Sequence, residues 1–426
     1  MEQEVCETCK PVVNYLLKEI TELKRRLLAY ENAHTPPSLR RRYPKREPSG
    51  NPVGAPKGHH GATRPIPLPD KVIDVKQERC SSCKHALGKP MKILKRIIED
   101  LPEPQPITVI QYNVHTYLCR NCAEVNIASH PDIPAEGRFG KNLQAQVALM
   151  KHEDRLPLRK IVATLNRQHN LGLTPAAVLA ILDRVACACE PMHEQIRKQV
   201  RLAPNVYADE TGQKVQGTQW WTWVFTTARE AFFLVRKSRG QKPVEEVLGK
   251  DYEGILNCDG LASYPKVVRK IQRCWAHLLR EAKWLAEAHE GQAGNLYNGL
   301  RELFAAIKRV RKNASAKSRK KIYTTCLKKL QYWINVSKAY KELRKFAAKI
   351  EHGLEHWFTC VLHPEIEPTN NHAERMLREI VVQRRITGTL RNERGTHRME
   401  VLMSVLVTWK LQGLNTLSML RQTLRS

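Results

Sequence analysis

Val206-Tyr207-Ala208-Asp209 is a short apolar run closed by a carboxylate, and Ile255-Leu256-Asn257-Cys258-Asp259 repeats that arrangement further along the chain. Between the two, Gly212 and Gly217 predict a turn. Gln219 to Thr227 then alternates Trp221, Trp223 and Phe225 with Trp220, Thr222 and Val224, the two-residue period of a strand. Ala231 to Val235 reads as a third strand, Gln241 to Leu248 as a helix, Gly254 to Cys258 as a fourth strand and Ile271 to Trp275 as a fifth. Three strands joined by short turns, followed by helix, strand, helix and strand, predict a mixed sheet carrying helices, the order of an RNase H-like core. If the first and fourth strands pair, Asp209 and Asp259 become neighbours.

A third acidic residue follows in a helical segment, Asn370-Asn371-His372-Ala373-Glu374-Arg375. A helix laid across the sheet would bring Glu374 towards the two aspartates. Three convergent carboxylates can hold two Mg²⁺ or Mn²⁺ ions, and such a pair activates a water or a 3′-hydroxyl for attack on phosphate. Taken singly, Asp209 is equally a strand-end cap, Asp259 a turn residue before Gly260, and Glu374 a solvated helix residue. Asn370 and Arg378 lie one turn either side of Glu374 on its face, with Asn371 somewhat off it. Arg378 would orient Glu374 or reach a DNA phosphate.

The charge balance names the substrate class. The chain has 426 residues, with 71 Lys and Arg against 42 Asp and Glu, a formal charge of +29. A field of that sign attracts polyanions, and nucleic acid is the usual one. Arg384, Arg385, Arg391, Arg394 and Arg398 follow the third carboxylate directly. A helical insertion at 278–350 holds 18 basic against 5 acidic residues, including Arg309, Lys312, Lys320 and Lys321. It reads as a phosphate track or as a solvated face. No apolar stretch of about 18 residues argues for a membrane span, and the polar start, with Glu2, Glu4 and Cys6, argues against a secretory leader.

Upstream the chain is modular. Residues 1–33 form a coiled-coil helix whose seam is Val13, Leu16, Ile20, Leu23, Leu27 and Tyr30, predicting a homodimer or higher oligomer, or else a helix packed against its own protein or a different partner. Residues 34–69 are a basic Pro/Gly linker. Residues 70–128 hold Cys80, Cys83, Cys119 and Cys122 as two Cys-x-x-Cys pairs, the sulfur set that structural Zn²⁺ prefers. A hairpin strand is expected from Thr108 to Leu118. Cys6 and Cys9 form a third pair without visible partners. Residues 140–200 are a helical, helix-turn-helix-like region for DNA, with Thr174 as N-cap and Pro175 opening its second helix. That helix, Ala176 to Leu182, is apolar enough to suit burial better than reading bases. Residues 203–426 form the catalytic domain, closed by the apolar helix Val401 to Leu411.

These segments resemble the insertion-sequence transposases of the IS66 family, a branch of the DDE transposases with an RNase H-like catalytic fold. The resemblance spans nearly the whole chain. It is carried by Tyr207-Ala208-Asp209-Glu210-Thr211, Cys258-Asp259-Gly260-Leu261-Ala262-Ser263-Tyr264, Cys274-Trp275-Ala276-His277, and Asn370 to Arg378. It implies Asp209, Asp259 and Glu374 as the catalytic triad, element terminal repeats and target DNA as substrates, and accessory proteins encoded beside the enzyme. It also implies a prokaryotic, nucleoid-associated protein of the cytoplasm. Cys274 and His277 match the Cys-x-x-His element of many DDE enzymes, read here as a structural junction or an incomplete metal site. The rival functions are a catalytically silent DNA-binding regulator derived from a transposase, and an RNase H-type nuclease.

Overall fold

The computed structural model describes residues 10–30, 65–134, 136–289, 291–313 and 315–425, with side chains in α1 described at 11–20 and 23 and none at 311–313. Cys6, Cys9 and most of the linker lie outside the described residues, as do the side chains of Leu27 and Tyr30. Two compact units divide the chain: Met1–Pro36 with Pro106–Ser426, and Pro37–Gln105.

Helix α1 spans Lys10–Tyr30, and its Leu16, Ile20 and Leu23 are exposed. The short strands β1 (Thr116–Leu118) and β2 (Val125–Ile127) pair as a hairpin, so only the end of the strand expected from Thr108 forms. The helices α2 (Lys141–His152), α3 (Leu158–His169) and α4 (Pro175–Leu202) follow. Thr174 caps α4 by accepting the Ala177 N–H at 3.1 Å. Asn170, at φ 49°, ends α3 in the left-handed region. Helix α4 is 28 residues long and buries Val178, Ile181, Leu182, Val185, Ile196 and Val200. Its apolar face therefore belongs to the core it shares with the sheet.

That sheet has five strands: β3 (Asn205–Val215), β4 (Thr218–Thr226), β5 (Ala231–Arg236), β6 (Ile255–Cys258) and β7 (Lys270–Arg273), with α5 (Lys242–Leu248) crossing from β5 to β6. The order is β5-β4-β3-β6-β7. β3, β4 and β5 are antiparallel neighbours, while β3, β6 and β7 run parallel. The sheet is thus the mixed sheet expected, with two differences. Gly212 is not a turn residue: β3 continues past Asp209, Gly212 faces Trp221, and the turn comes at Gln216 and Gly217, both at positive φ. Two residues at positive φ match the twist of the flanking strands. Trp275, expected to end the fifth strand, instead opens α6.

The remaining helices are α6 (Trp275–Ala288), α7 (Gln292–Asn313), α8 (Ala316–Lys338), α9 (Arg344–His352), α10 (Thr359–Leu362), α11 (Asn371–Thr387), α12 (Glu393–Leu411) and α13 (Thr416–Thr423). Helices α6 to α10 gather around Trp275, Trp357 and Phe358 as a core of their own. On one sheet face Ala208, Trp223, Phe225 and Leu234 pack with α4. On the other, Val224, Phe233 and Val235 meet Ala373, Leu377 and Ile380 of α11. Among the described residues no helix is long and apolar enough to cross a membrane.

Helix α12 finishes the sheet in place of a sixth strand. Thr408 Oγ1, Ser404 Oγ and Glu400 Oε1 accept the N–H groups of Ala231, Phe233 and Val235 at 3.0, 2.9 and 2.6 Å. The helical spacing of four matches the strand spacing of two, so one polar stripe satisfies a buried edge. Ser404→Ala leaves the Phe233 N–H buried and unbonded. It should cost about 1–3 kcal/mol, read by chemical denaturation. His397 bridges Glu400 (3.5 Å) and Glu190 (2.6 Å). These partners, Glu400 first, raise its pKa to about 9. A histidine with a raised folded pKa contributes stability that is complete below the ordinary value near 6.5 and lost as pH rises through 9. Denaturation midpoints should fall across that window, and less so in His397→Gln.

Candidate active site

The parallel pairing of β3 with β6 sets Tyr207 opposite Asn257. Two residues on, past the last paired residues, Asp209 and Asp259 come together beyond the carboxyl end of β6. Oxygens of Asp209, Glu210 and Asp259 lie within 4.8 Å of one another. Glu210 is the member that a search for three carboxylates passes over. Strand alternation sends it to the face opposite Asp209, yet Asp259 sits where both can reach it. Its side chain is almost fully buried, with Oε2 accepting the Tyr264 hydroxyl at 2.9 Å and Oε1 bonded to Arg239.

Glu374 is delivered from the first turn of α11. The loop before that helix is tied to both acidic strands. Asn370 is fully buried and its Nδ2 donates to the Ala208 carbonyl at 2.7 Å, one residue before Asp209. Asn257 Nδ2, two residues before Asp259, donates to the Glu367 carbonyl at 2.5 Å. Glu367 N–H donates to the Tyr207 hydroxyl at 3.2 Å. Cys274 Sγ accepts the Asn370 N–H at 3.1 Å, while the Cys274 N–H donates to the Cys258 carbonyl at 2.9 Å. Asn371 is exposed at the start of α11.

Glu374 forms a second group with Cys274 and His277, whose ligand atoms also lie within 4.8 Å. His277 Nδ1 stands 3.5 Å from Glu374 Oε1. Burial pushes the Cys274 thiol up to about 11, so it faces the site as a neutral hydrogen-bond acceptor. The three expected carboxylates thus arrive as an aspartate pair with Glu210, and a glutamate held beside a histidine. Charge still links them: burial, then Glu210 and Asp259, and last Glu374 hold the Asp209 carboxyl well above the ordinary range.

This set fits a divalent cation. It offers hard oxygen donors, the kind Mg²⁺ and Mn²⁺ take. Glu374 Oε1 is buried and accepts no hydrogen bond, and the raised Asp209 marks a cluster short of positive charge.

The expected DNA-contacting cations divide. Arg378, Arg385 and Arg391 are exposed on α11 and the segment after it, and Lys320 is exposed on α8. Lys312 lies on α7 with its side chain outside the described residues. Arg384 does something else: its Nη1 donates to Thr211 Oγ1 at 3.1 Å and to the Gly212 carbonyl, fastening α11 to β3. Arg394 pairs with Asp183 of α4 at 3.0 Å.

The two Cys-x-x-Cys turns, each within its own unit, share one geometry. Cys80 N–H donates to the His85 carbonyl and Lys84 N–H to the Cys80 carbonyl, with Lys84 at φ 63°. Cys119 repeats this with Glu124 and with Ala123 at φ 55°. In both, N–H groups of the turn, that of the second cysteine first, lower the pKa of the first cysteine.

The family described as Transposase IS66 family matches residues 136–398. The chain is also similar to an uncharacterized protein, y4jD, of Sinorhizobium fredii, at 22% identity over 400 residues covering 84% of this chain and 76% of the relative.

The buried like charges have a measurable cost. A carboxyl whose folded pKa is raised is most favourable when protonated, so stability falls as pH rises through that value. Asp209→Asn should therefore be more stable than wild type near neutral pH in a chelator. Mg²⁺ or Mn²⁺ should raise the wild-type melting temperature and leave the variant almost unmoved. A variant less stable than wild type in chelator would contradict this account.

Proposed function

This chain belongs to the IS66 family of transposases, and we propose that it cuts the ends of its own element and joins the freed 3′-hydroxyls to target DNA. The observation that carries the reading is the meeting of Asp209 with Asp259 under a glutamate-bearing helix, in a protein of charge +29. The sheet order supports an RNase H-like catalytic domain.

In this reading Asp209 and Asp259 hold the first divalent ion, with Glu210 beside them, and Glu374 completes a second site. Divalent ions held there would supply a lowered pKa for an attacking water or hydroxyl and positive charge opposite the scissile phosphate. The protein's own part is positional. Asn257 and Asn370 fix the three carboxylates before substrate arrives, so little reorganisation remains at the moment of reaction. His277 Nδ1, 3.5 Å from Glu374 Oε1, would pair with that carboxylate when protonated. The exposed Arg378, Arg385, Arg391 and Lys320 carry the flanking backbone, as phosphate-contacting cations do.

The accessory modules extend the same reading. We assign the thiols of Cys80, Cys83, Cys119 and Cys122 to structural Zn²⁺. The exposed Leu16, Ile20 and Leu23 of α1 suit self-association, which a paired-end reaction needs. Accessory proteins of the same element remain partners implied by family.

The test is a labelled duplex carrying the element's terminal repeat, incubated with and without Mg²⁺. Nicking at the repeat boundary should require the ion and fall at least about a thousandfold in Asp259→Ala, with affinity for the duplex nearly unchanged. Tight binding with no nicking under any metal would replace this reading with the silent regulator. Preferential cleavage of an RNA–DNA hybrid would replace it with the nuclease.

A further inference from the structure

Arg239 stands at the rim of the carboxylate cluster, in the loop after β5. Its Nε and Nη2 both donate to Glu210 Oε1, at 3.1 and 2.8 Å. The guanidinium carbon lies 4.4 Å from the ring centre of Trp221. Its main-chain carbonyl accepts the hydroxyl of buried Ser263 at 2.8 Å. Arg239 is thus held by side chain and backbone alike, yet its side chain remains 46% exposed. Nη1 takes part in neither bond to Glu210.

An arginine that only neutralised Glu210 would need no such exposure and no aromatic platform. Stacking on an indole leaves the guanidinium edge available while fixing its plane. Holding the side chain in advance also removes most of the rotamer entropy that binding would cost. Beside it, Asp209, Glu210 and Asp259 repel any incoming polyanion. Divalent ions would offset that repulsion at the scissile phosphate, but the neighbouring phosphates need a cation of their own. Among the described residues, Arg239 supplies the guanidinium hydrogen-bonded to this cluster.

We propose that Arg239, seated on Trp221 and anchored by Glu210, docks one non-scissile backbone phosphate of the DNA strand beside the cleavage point. Its free edge donates to the non-bridging oxygens, as guanidinium groups do to phosphate. Glu210 is then a positioning residue for this arginine, and its buried carboxylate between Asp259 and Arg239 has a reason to be there. The proposal rests on the reading of the cluster as a DNA strand-cleavage site.

The experiment uses the full chain with end-containing duplexes in which a single neutral methylphosphonate is walked across the boundary. Both nicking and equilibrium binding are measured, for wild type, Arg239→Ala and Arg239→Lys. Wild type should show a penalty of about tenfold to a hundredfold at one flanking position, and Arg239→Ala should lose that penalty there alone. Its binding should also show a salt dependence shallower by about one phosphate contact. Arg239→Lys, which keeps the charge and loses the fork, should retain part of the penalty. An unchanged methylphosphonate profile in Arg239→Ala overturns the proposal even if wild type nicks normally. If wild type binds without nicking, a binding penalty lost only in Arg239→Ala keeps the docking role and removes the cleavage reading. Equal profiles for both proteins in binding as well remove the docking role.

Discussion

The loop at 367–370 is the constraint on which the site depends. Hydrogen bonds from Asn370 to the Ala208 carbonyl and to Cys274 Sγ, from Asn257 to the Glu367 and Thr369 carbonyls, from Glu367 to the Tyr207 hydroxyl and from Trp275 to the Pro368 carbonyl join it to β3, β6 and the start of α6. Each uses a group adjacent to, or two residues from, a carboxylate-bearing position or its histidine partner's helix. The long helical insertion between Asp259 and Glu374 can therefore fold around its own core without shifting the glutamate. In a low-dielectric setting such buried bonds are costly to leave unmade, so the loop holds one position.

The same economy governs the other end of the sheet. An edge strand presents a row of unpaired N–H groups that would otherwise pair with another chain. Helix α12 meets this with Glu400, Ser404 and Thr408 while its apolar residues contribute to the cores on both sheet faces. Glu400 also receives Arg236 at 2.8 Å and His397, so its buried charge is paired. Helix α4 closes the first face, and its burial explains why its apolar stretch cannot also lie in a DNA groove.

Against this rigid frame the carboxylate cluster is held in an unfavourable state. Desolvation and like charge act together on Asp209, and among the described residues Arg239 and Tyr264 hydrogen-bond to Glu210 and relieve it. The cation-binding role proposed for the cluster accounts for such an imbalance in the free protein, and the surrounding packing offsets it.

Local pattern alone determined a good deal. Strand period, turn residues and the N-cap at Thr174 made the sheet, its connections and the start of α4 legible, and Asp209, Asp259 and Glu374 stood out by their place at the ends of apolar runs and on a helix. What local pattern could not supply was register and partnership. Gly212 looked like a turn until its pairing with Trp221 placed it inside β3, and Arg384 looked like a free cation until α11 brought it to Gly212. Glu210 was hidden because alternation points it away from Asp209, and only the parallel pairing of β3 with β6 brings Asp259 within reach of both. A residue's face follows from its own few neighbours in sequence, but the groups it meets are set by contacts between segments far apart in the chain.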